Sequence, residues 1–384
     1  MSDQLGFLPV YTQEFIIQPT SLCNINCRYC YLPDRLSPRS IDARTLARVF
    51  AAIFTSSLVG ERVRIVWHAG EPMTLPLSFY AEAYRLMDLA NPRQIPVESV
   101  FQTNGTRLTQ AWCDFINARQ IQIGISLDGP QAIHDANRVD RQGRGTFARA
   151  MRGLDLLQRN GIDPVVLMVL TRQALDAPDA LWQFLLEHRL TSVAFLLEEA
   201  LDTAHEIPLR SAADRQRYRA FLQRILTLRE SCAHPPFVRE IDGLIDRIKY
   251  LTHPVRAQAN IPLAVISFDC EGNISTFSPE LLTQSHPRYQ NFWFGNVFEN
   301  SLEELLNHPH FRVLNAEVQR GVARCRETCA YFLFCGGGSP ANKLSENGTF
   351  ASSETVHCAL HIQTTTDVVL NYLEHSIESV QEGP

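Results

Sequence analysis

Three cysteines fall within eight residues, Cys23, Cys27 and Cys30, with the spacing C-x3-C-x2-C. They follow directly on a stretch, 12–18, that reads as the first strand, so they stand at a strand's C-terminal end. Three thiolates hold three corners of a [4Fe–4S] cube, whereas electron-transfer clusters have four ligands. The missing ligand leaves one iron open, and an open position is what separates a catalytic metal site from a structural one. A zinc site completed by a distant residue, or plain reduced thiols, are the competing readings of this spacing. A second group, Cys325-x3-Cys329-x5-Cys335-x22-Cys358, offers four thiolates. Four ligands close a cluster, and four cysteines suit zinc as well.

The elements that must position these groups alternate. Strands are expected over 12–18, 62–68, 97–102, 121–127, 165–170 and 192–197. Helices are expected over 40–57, 77–89, 110–118, 146–160 and 179–188. The first has Leu46, Val49, Phe50, Ile53 and Phe54 on one face with Ser40 or Asp42 as cap; Thr146 caps the fourth and Gly161 ends it. Strand–helix alternation implies a parallel sheet, because a parallel return needs a crossover helix. Six units fit an open wound sheet or a partial barrel, and either binds ligands at the C-terminal ends of its strands. The pattern then changes. Residues 231–265 carry Pro235, Pro236, Pro254 and Pro262 around a short helix at 240–251 and read as a connector. Residues 266–384 hold several glycines, short elements and most of the remaining cysteines, and a loop-rich segment of that size needs a staple. The expected organisation is therefore 1–230, 231–265 and 266–384.

Composition narrows the function. The 384 residues are 45% hydrophobic, enough for a sizeable core, and carry a net charge of −6 spread along the chain. No basic footprint points to nucleic acid. No run of eighteen apolar residues suggests a membrane span. The first fifteen residues do not read as a signal peptide, so a cytoplasmic setting with reduced thiols is expected.

The string Cys23-Asn-Ile-Asn-Cys27-Arg-Tyr-Cys30-Tyr resembles the signature loop of the radical S-adenosylmethionine (SAM) superfamily, including the aromatic Tyr29 before the last cysteine. The resemblance implies that SAM chelates the open iron and is cleaved by one electron to a 5′-deoxyadenosyl radical, with the protein positioning the cofactor. It implies an α/β fold, a partial (β/α)6 barrel. His68-Ala69-Gly70-Glu71-Pro72 looks like the superfamily's Gly-Gly-Glu-Pro motif with alanine in place of the first glycine, a mild change in size. Gly70 lets backbone approach a ligand, and backbone carbonyls with the Glu71 carboxylate receive an ammonium group; an ordinary strand-to-helix turn is the alternative. Gln102-Thr103-Asn104-Gly105 is a turn signal that also puts Asn104 at the pocket mouth. Ser126-Leu127-Asp128-Gly129, with His134 and Arg138, looks like a block of peptide-modifying radical SAM enzymes. There Ser126 bonds ribose or carboxylate, Arg138 clamps a carboxylate with its fork, and His134 is left structural. At the end of the sixth strand, Phe195 and Leu196 pack on adenine or belong to the core.

The C-terminal cysteines look like a SPASM domain, the auxiliary-cluster extension of peptide-maturing members. Full SPASM domains bind two auxiliary clusters. Here Ser339 stands where another cysteine would fall and Cys270 is the one upstream candidate, so one auxiliary [4Fe–4S] cluster is expected. Cys113 and Cys232 read as plain thiols. Four further strings, Gln18-Pro19-Thr20, Ser275-Thr276-Phe277-Ser278-Pro279-Glu280-Leu281, Phe294-Gly295-Asn296-Val297 and Cys335-Gly336-Gly337-Gly338-Ser339, are similar to maturases of ribosomally made peptides, in particular the cyclophane-forming branch and its cyclopropane-forming relatives. That resemblance implies hydrogen removal from an unactivated side-chain carbon of a precursor peptide, a new carbon–carbon bond, and a donor such as flavodoxin or ferredoxin. Glu280 is the candidate base or substrate contact, with a solvated loop glutamate as the alternative, and Asp269 reads the same way; Glu198 and Glu199 meet a basic substrate residue or water. No separate leader-binding domain of ~80 residues is apparent before the cysteine loop, so an edge strand or the C-terminal region is expected to dock the peptide. A sulfatase-type maturase that makes formylglycine, and a non-catalytic metal-binding protein, are the rival readings.

Overall fold

The computed structural model describes residues 11–199, 207–250 and 253–381. Six strands follow the expected alternation: β1 Glu14–Ile17, β2 Val63–Trp67, β3 Val97–Thr103, β4 Gln122–Ser126, β5 Val165–Leu170 and β6 Ser192–Leu197. They pair in parallel and in sequence order, with Ile17 opposite Trp67 and Trp67 opposite Phe101. Each return is made by a helix of the kind the periodicity predicts, Ala43–Thr55, Leu77–Ala90, Gln110–Arg119, Phe147–Arg159 and Pro178–Glu187. Strand alternation sorts side chains between two faces. On the outer face Trp67, Tyr80, Phe101 and Trp112 meet with ring centroids 4.9–5.9 Å apart, joining sheet to helices. Such aromatic pairs contribute about 0.5–1.5 kcal/mol each beyond area burial. The same alternation sends Phe195 outward onto Phe221, at 5.3 Å, and leaves Leu196 on the inner face.

The sheet is wider than the six expected strands. A two-residue strand, β7 Phe237–Val238, extends it beyond β6, and the helix Arg239–Lys249 follows at once. Leu251, where that helix was expected to end, lies outside the described residues, as do residues 1–10. At the opposite edge β8 Val265–Phe268 pairs in parallel with β1, β9 Asn273–Thr276 runs back beside it, and the short β12 Gly295–Asn296 closes the edge after a separate hairpin of β10 Ser285–His286 and β11 Gln290–Asn291. The expected 265/266 boundary thus falls inside β8.

Of the two caps expected for the first helix, Asp42 serves, through Thr45 N. Two local expectations are corrected. Thr146 makes no cap bond; Asp135 Oδ1 accepts from Phe147 N at 2.8 Å, while the Thr146 hydroxyl donates to Arg138 O. Nor are the elements after residue 266 all short. Pro309–Thr328 is a 20-residue helix and Thr365–Gln381 a 17-residue one. Pro309 starts the former, and Phe311, Leu314, Val318, Val322 and Cys325 recur every three or four residues on its buried face. Buried polar residues, Asn315 and Glu317, break that stripe in the sequence.

Candidate functional site

The cysteine loop after β1 has no regular structure, so neighbouring segments hold its shape. Cys23 N donates to Arg35 O at 3.1 Å, Asn26 N to Val139 O at 2.7 Å and Arg28 N to Asn137 O at 3.0 Å. Arg141 donates to the carbonyls of Cys23 and Arg35. The turn after β2 presses on the loop from the other side. Ala69 and Gly70 both have left-handed backbone, φ 72° and 57°. A Cβ on Gly70 would stand 2.6 Å from both Thr20 O and Leu22 O, and Glu71 N donates to Leu22 O at 2.8 Å. Gly70 therefore admits the chain's own cysteine loop. Size is not the whole cost of alanine at 69, since left-handed backbone disfavours a non-glycine residue by roughly 1–2 kcal/mol.

Two buried polar networks set the strand ends. Glu71 accepts from Met73 N (3.0 Å), Thr103 Oγ1 (2.8 Å) and Asn104 N (2.7 Å), so its carboxylate fastens the end of β3 as well as bordering the cavity. Burial raises its pKa while these bonds lower it. Asn104 Nδ2 donates to Asn24 Oδ1 at 3.0 Å and lies 3.9 Å from Cys23 Sγ. Beyond β4, Asp128 is 1% exposed and gathers three hydrogen-bond donors. Arg138 NH2 reaches its Oδ1 at 3.1 Å, with Nε 3.0 Å from Oδ2 but off the N–H axis. Val169 N donates to Oδ1 at 3.0 Å, and the Tyr29 hydroxyl donates to Oδ2. Arg138 also stacks 5.5 Å from the Tyr29 ring centroid and lies 4.0 Å from Cys27 Sγ. Its fork is thus engaged by Asp128 rather than pointing free. His134 is structural as expected: Nδ1 accepts from Asp128 N at 3.4 Å, Nε2 lies 3.0 Å from Thr146 Oγ1, and burial lowers its pKa to about 4.

Cys23, Cys27, Cys30, Tyr29, Gly70, Glu71, Asn104, Ser126, Arg138, Leu196 and Glu280 all border one cavity of about 310 Å³ at the strands' C-terminal ends. The sequence reading missed Tyr31, His68, Gln102 and Val169 there. Gln102 donates to Ser126 Oγ at 3.1 Å, and Tyr31 Oη meets His68 Nε2 at 3.2 Å. Strand alternation carried the signal for Val169, two residues after the half-buried Leu167 on β5. Glu280 sits in a turn tied to the end of β1 by Gln18 Nε2 on Pro279 O at 3.3 Å. Ser278 Oγ donates to Glu280, and burial first, then the Glu199 charge, raises its pKa. Asp269 is elsewhere. It accepts from Glu271 N, Asn273 N and Asn273 Nδ2 at 2.8–2.9 Å and shapes the β8–β9 turn, so it is not available as a base. Cys270 stands half-buried in that turn, and Cys113 packs in its helix as a plain thiol.

The four C-terminal cysteines border a second cavity, of about 200 Å³. Cys325 and Cys329 are one turn apart at the end of Pro309–Thr328, Cys335 ends the short helix Phe332–Cys335, and Cys358 opens a π-helix, Cys358–Thr364. Cys335 Sγ accepts from Gly337 N at 3.4 Å, and Lys343 Nζ lies 3.4 Å from Cys325 Sγ. Burial raises the Cys325 and Cys358 thiols, the latter to about 12, and raises Cys23 to about 12. Ser339 acts as a helix cap, its Oγ accepting from Asn342 N at 3.4 Å. Among the described residues no three His, Cys, Asp or Glu side chains converge on a point as single-ion ligands do. Glu199 joins the two regions: it borders the first cavity, accepts from Asn342 Nδ2 at 2.7 Å, and lies 3.0 Å from Nδ1 of His357, the neighbour of Cys358. It therefore meets groups of its own chain, where a substrate residue or water was expected.

Residues 17–178 match the Radical SAM superfamily. The chain is 40% identical over 371 residues, 95% of its length and 93% of the other, to the uncharacterized protein sll1766 of Synechocystis sp. (strain ATCC 27184 / PCC 6803 / Kazusa). It is 36% identical over 149 residues to the serine-type anaerobic sulfatase-maturating enzyme of Klebsiella aerogenes, a match to 38% of this chain and 37% of that one. Its fold is similar to native anSMEcpe with bound AdoMet and Cp18Cys peptide (TM-score 0.77, 19% identity, 96% of this chain and 99% of that one). It is also similar to Streptococcus suis SuiB bound to precursor peptide SuiA (TM-score 0.62, 16% identity, 90% and 76%). With a three-cysteine loop at the mouth of a parallel α/β sheet and a relative alike along nearly its whole length, the chain belongs to the radical SAM superfamily.

Proposed function

We propose that this protein matures a ribosomally made precursor peptide, removing a hydrogen from an unactivated side-chain carbon and joining that carbon in a new carbon–carbon bond, as a cyclophane cross-link or a cyclopropane ring. The observation that carries the reading is the pairing of two thiol sites: three cysteines opening onto a cavity, and four around a second cavity, with Glu199 of the first in contact with His357, the neighbour of Cys358. The donor sets fit the groups. Cys23, Cys27 and Cys30 would hold a [4Fe–4S] cluster short of one ligand, and Cys325, Cys329, Cys335 and Cys358 a closed auxiliary one. Cluster and SAM, when bound, supply one-electron chemistry able to break an unactivated C–H bond. The chain's residues bind and orient. Tyr29, Asn104, Ser126 and Leu196 offer the cofactor polar and apolar walls, and the Gly70–Glu71 turn offers its last lone pair and carbonyls. Forming the bond also releases a proton and one electron: Glu280, buried beside the cavity, is the group to take the proton, and the group that the four C-terminal cysteines would hold is the acceptor for the electron. SuiB bound to its precursor peptide supports peptide as the substrate class. The setting we propose is cytoplasmic, with flavodoxin or ferredoxin as electron donor.

A sulfatase-type reaction is the second reading, favoured by the identity to sulfatase-maturating enzymes. Against it stands Ser339, a helix cap where a fuller cluster set would need a cysteine. Co-expression with short peptides encoded beside the gene, followed by mass spectrometry, decides. A loss of two hydrogens, with a core that resists fragmentation and does not react with hydrazide, supports a new carbon–carbon bond. A hydrazide-reactive aldehyde supports formylglycine, and an unaltered peptide with deoxyadenosine still formed sinks the assigned substrate.

A further inference from the structure

Lys343 is 2% exposed, on the helix Pro340–Asn347. An ammonium taken out of water is costly unless an anion faces it. Yet among the described residues no carboxylate pairs with Lys343; the partner of its Nζ is Cys325 Sγ, at 3.4 Å. The packing leaves little freedom to turn away, because Gly321 of the neighbouring helix stands so close that a Cβ there would lie 3.1 Å from Nζ. Two donors thus point at sulfur in this site, the ammonium at Cys325 and Gly337 N at Cys335 at 3.4 Å. The first site differs: near its thiols the cation Arg138 already has Asp128 as counter-ion.

We infer that Lys343 is a positioning residue of the auxiliary site, the counter-charge that stabilises its four thiolates and raises the reduction potential of the cluster they hold. The inference rests on the auxiliary-cluster reading above. Its physical basis is that a buried positive charge beside a cluster favours the more negative, reduced state, and hydrogen bonds to the sulfurs act in the same direction.

The test is an EPR-monitored redox titration of the anaerobically reconstituted full chain, with iron counted for each variant. Lys343→Met should shift the auxiliary potential to more negative values and leave that of the SAM-binding cluster unmoved. Lys343→Arg, which keeps the charge, should restore most of the shift. If Lys343→Met instead loses the auxiliary irons while Lys343→Arg keeps them, the counter-charge role also stands. An unmoved auxiliary potential in Lys343→Met, or equal loss of iron in Met and Arg variants, overturns it. Wild-type protein with only about four irons, or with zinc, sinks the auxiliary-cluster reading itself and is told apart before any variant is made.

Discussion

The two cysteine groups offer one thiol chemistry in opposite surroundings. The N-terminal three lie on an irregular loop whose shape comes from nearby Arg35 and from residues far away in sequence: Asn137, Val139, Arg141 and the turn at Gly70. The C-terminal four sit at helix ends, two of them a single turn apart on one helix, with Lys343 and Gly337 N turned toward the sulfurs. The first set leaves an inner wall of polar side chains in front of the thiols; the second is surrounded by its own segment. An open catalytic position needs long-range support, because space must be kept beside the metal, whereas a closed ligand set can organise its own surroundings.

The largest expected effect breaks this contrast outright if it fails. Replacing Cys23, Cys27 and Cys30 with alanine should lower iron by about four per chain and bring deoxyadenosine formation to background. Replacing Cys325 and Cys358 with serine should remove a similar amount of iron yet leave SAM cleavage detectable while peptide modification is lost. Equal loss of SAM cleavage in both sets would erase the distinction between an open and a closed site.

Glu280 gives the next effect. Glu280→Gln should slow peptide modification about 10²–10⁴-fold, the usual range for a general base, with iron content unchanged. Burial raises the Glu280 carboxyl above the ordinary 4.5. A base acts when ionised, so modification should fall as pH drops through that raised value, and the glutamine variant should lack this acid limb. In stability the sign reverses. The folded state holds the proton more tightly than the unfolded one, so the contribution is full below pH 4.5 and is lost as pH rises through the folded value. A wild-type rate flat across that range removes Glu280 from the reaction.

Asp128→Asn tests the support of the open site. It strips the charge from a residue that holds Arg138, Tyr29 and Val169 N, and leaves Arg138 buried without its counter-ion. Breaking a buried pair from one side costs about 3–5 kcal/mol. Chemical denaturation should show a loss of that size, with the C-terminal irons retained. A loss under about 1 kcal/mol would mean that this network carries little of the loop's shape, as for an exposed pair.

Legibility in the sequence followed periodicity. Strand β6 was readable to the residue, Ser192–Leu197, because an apolar run, Val193 to Leu197, fills it, and the helix Phe147–Arg159 because its stripe is clean. Phe195 apart, the cavity residues expected at strand ends border one space, since strand ends in a parallel sheet share one side. The added strands were not readable. Val265–Phe268 is buried at every position, so it has no alternation, and Phe237–Val238 is too short to have a period. Asp128 illustrates the remaining gap. Its place in a motif was visible, but the convergence of Tyr29, Arg138 and Val169 on it is a product of tertiary packing from three separate segments.

The contact that crosses between the regions sharpens the comparison most finely. Glu199 leaves the end of β6, borders the open cavity, and meets His357, the residue before Cys358, at 3.0 Å. Both side chains are partly exposed, 27% and 19%, so solvent screens the pair and its expected worth is only about 0.5–1 kcal/mol. A double-mutant cycle with Glu199→Gln and His357→Gln isolates that term, since glutamine at 199 can still accept from Asn342. Coupling of this size that shrinks as salt is added identifies an electrostatic link between the two cysteine regions. Zero coupling makes the regions energetically independent at this point, and Asn342 would then be the tie between them. Coupling well above 1 kcal/mol, accompanied by loss of C-terminal irons in either single variant, would mean that the pair holds Cys358 in place, so that the closed site too depends on distant support.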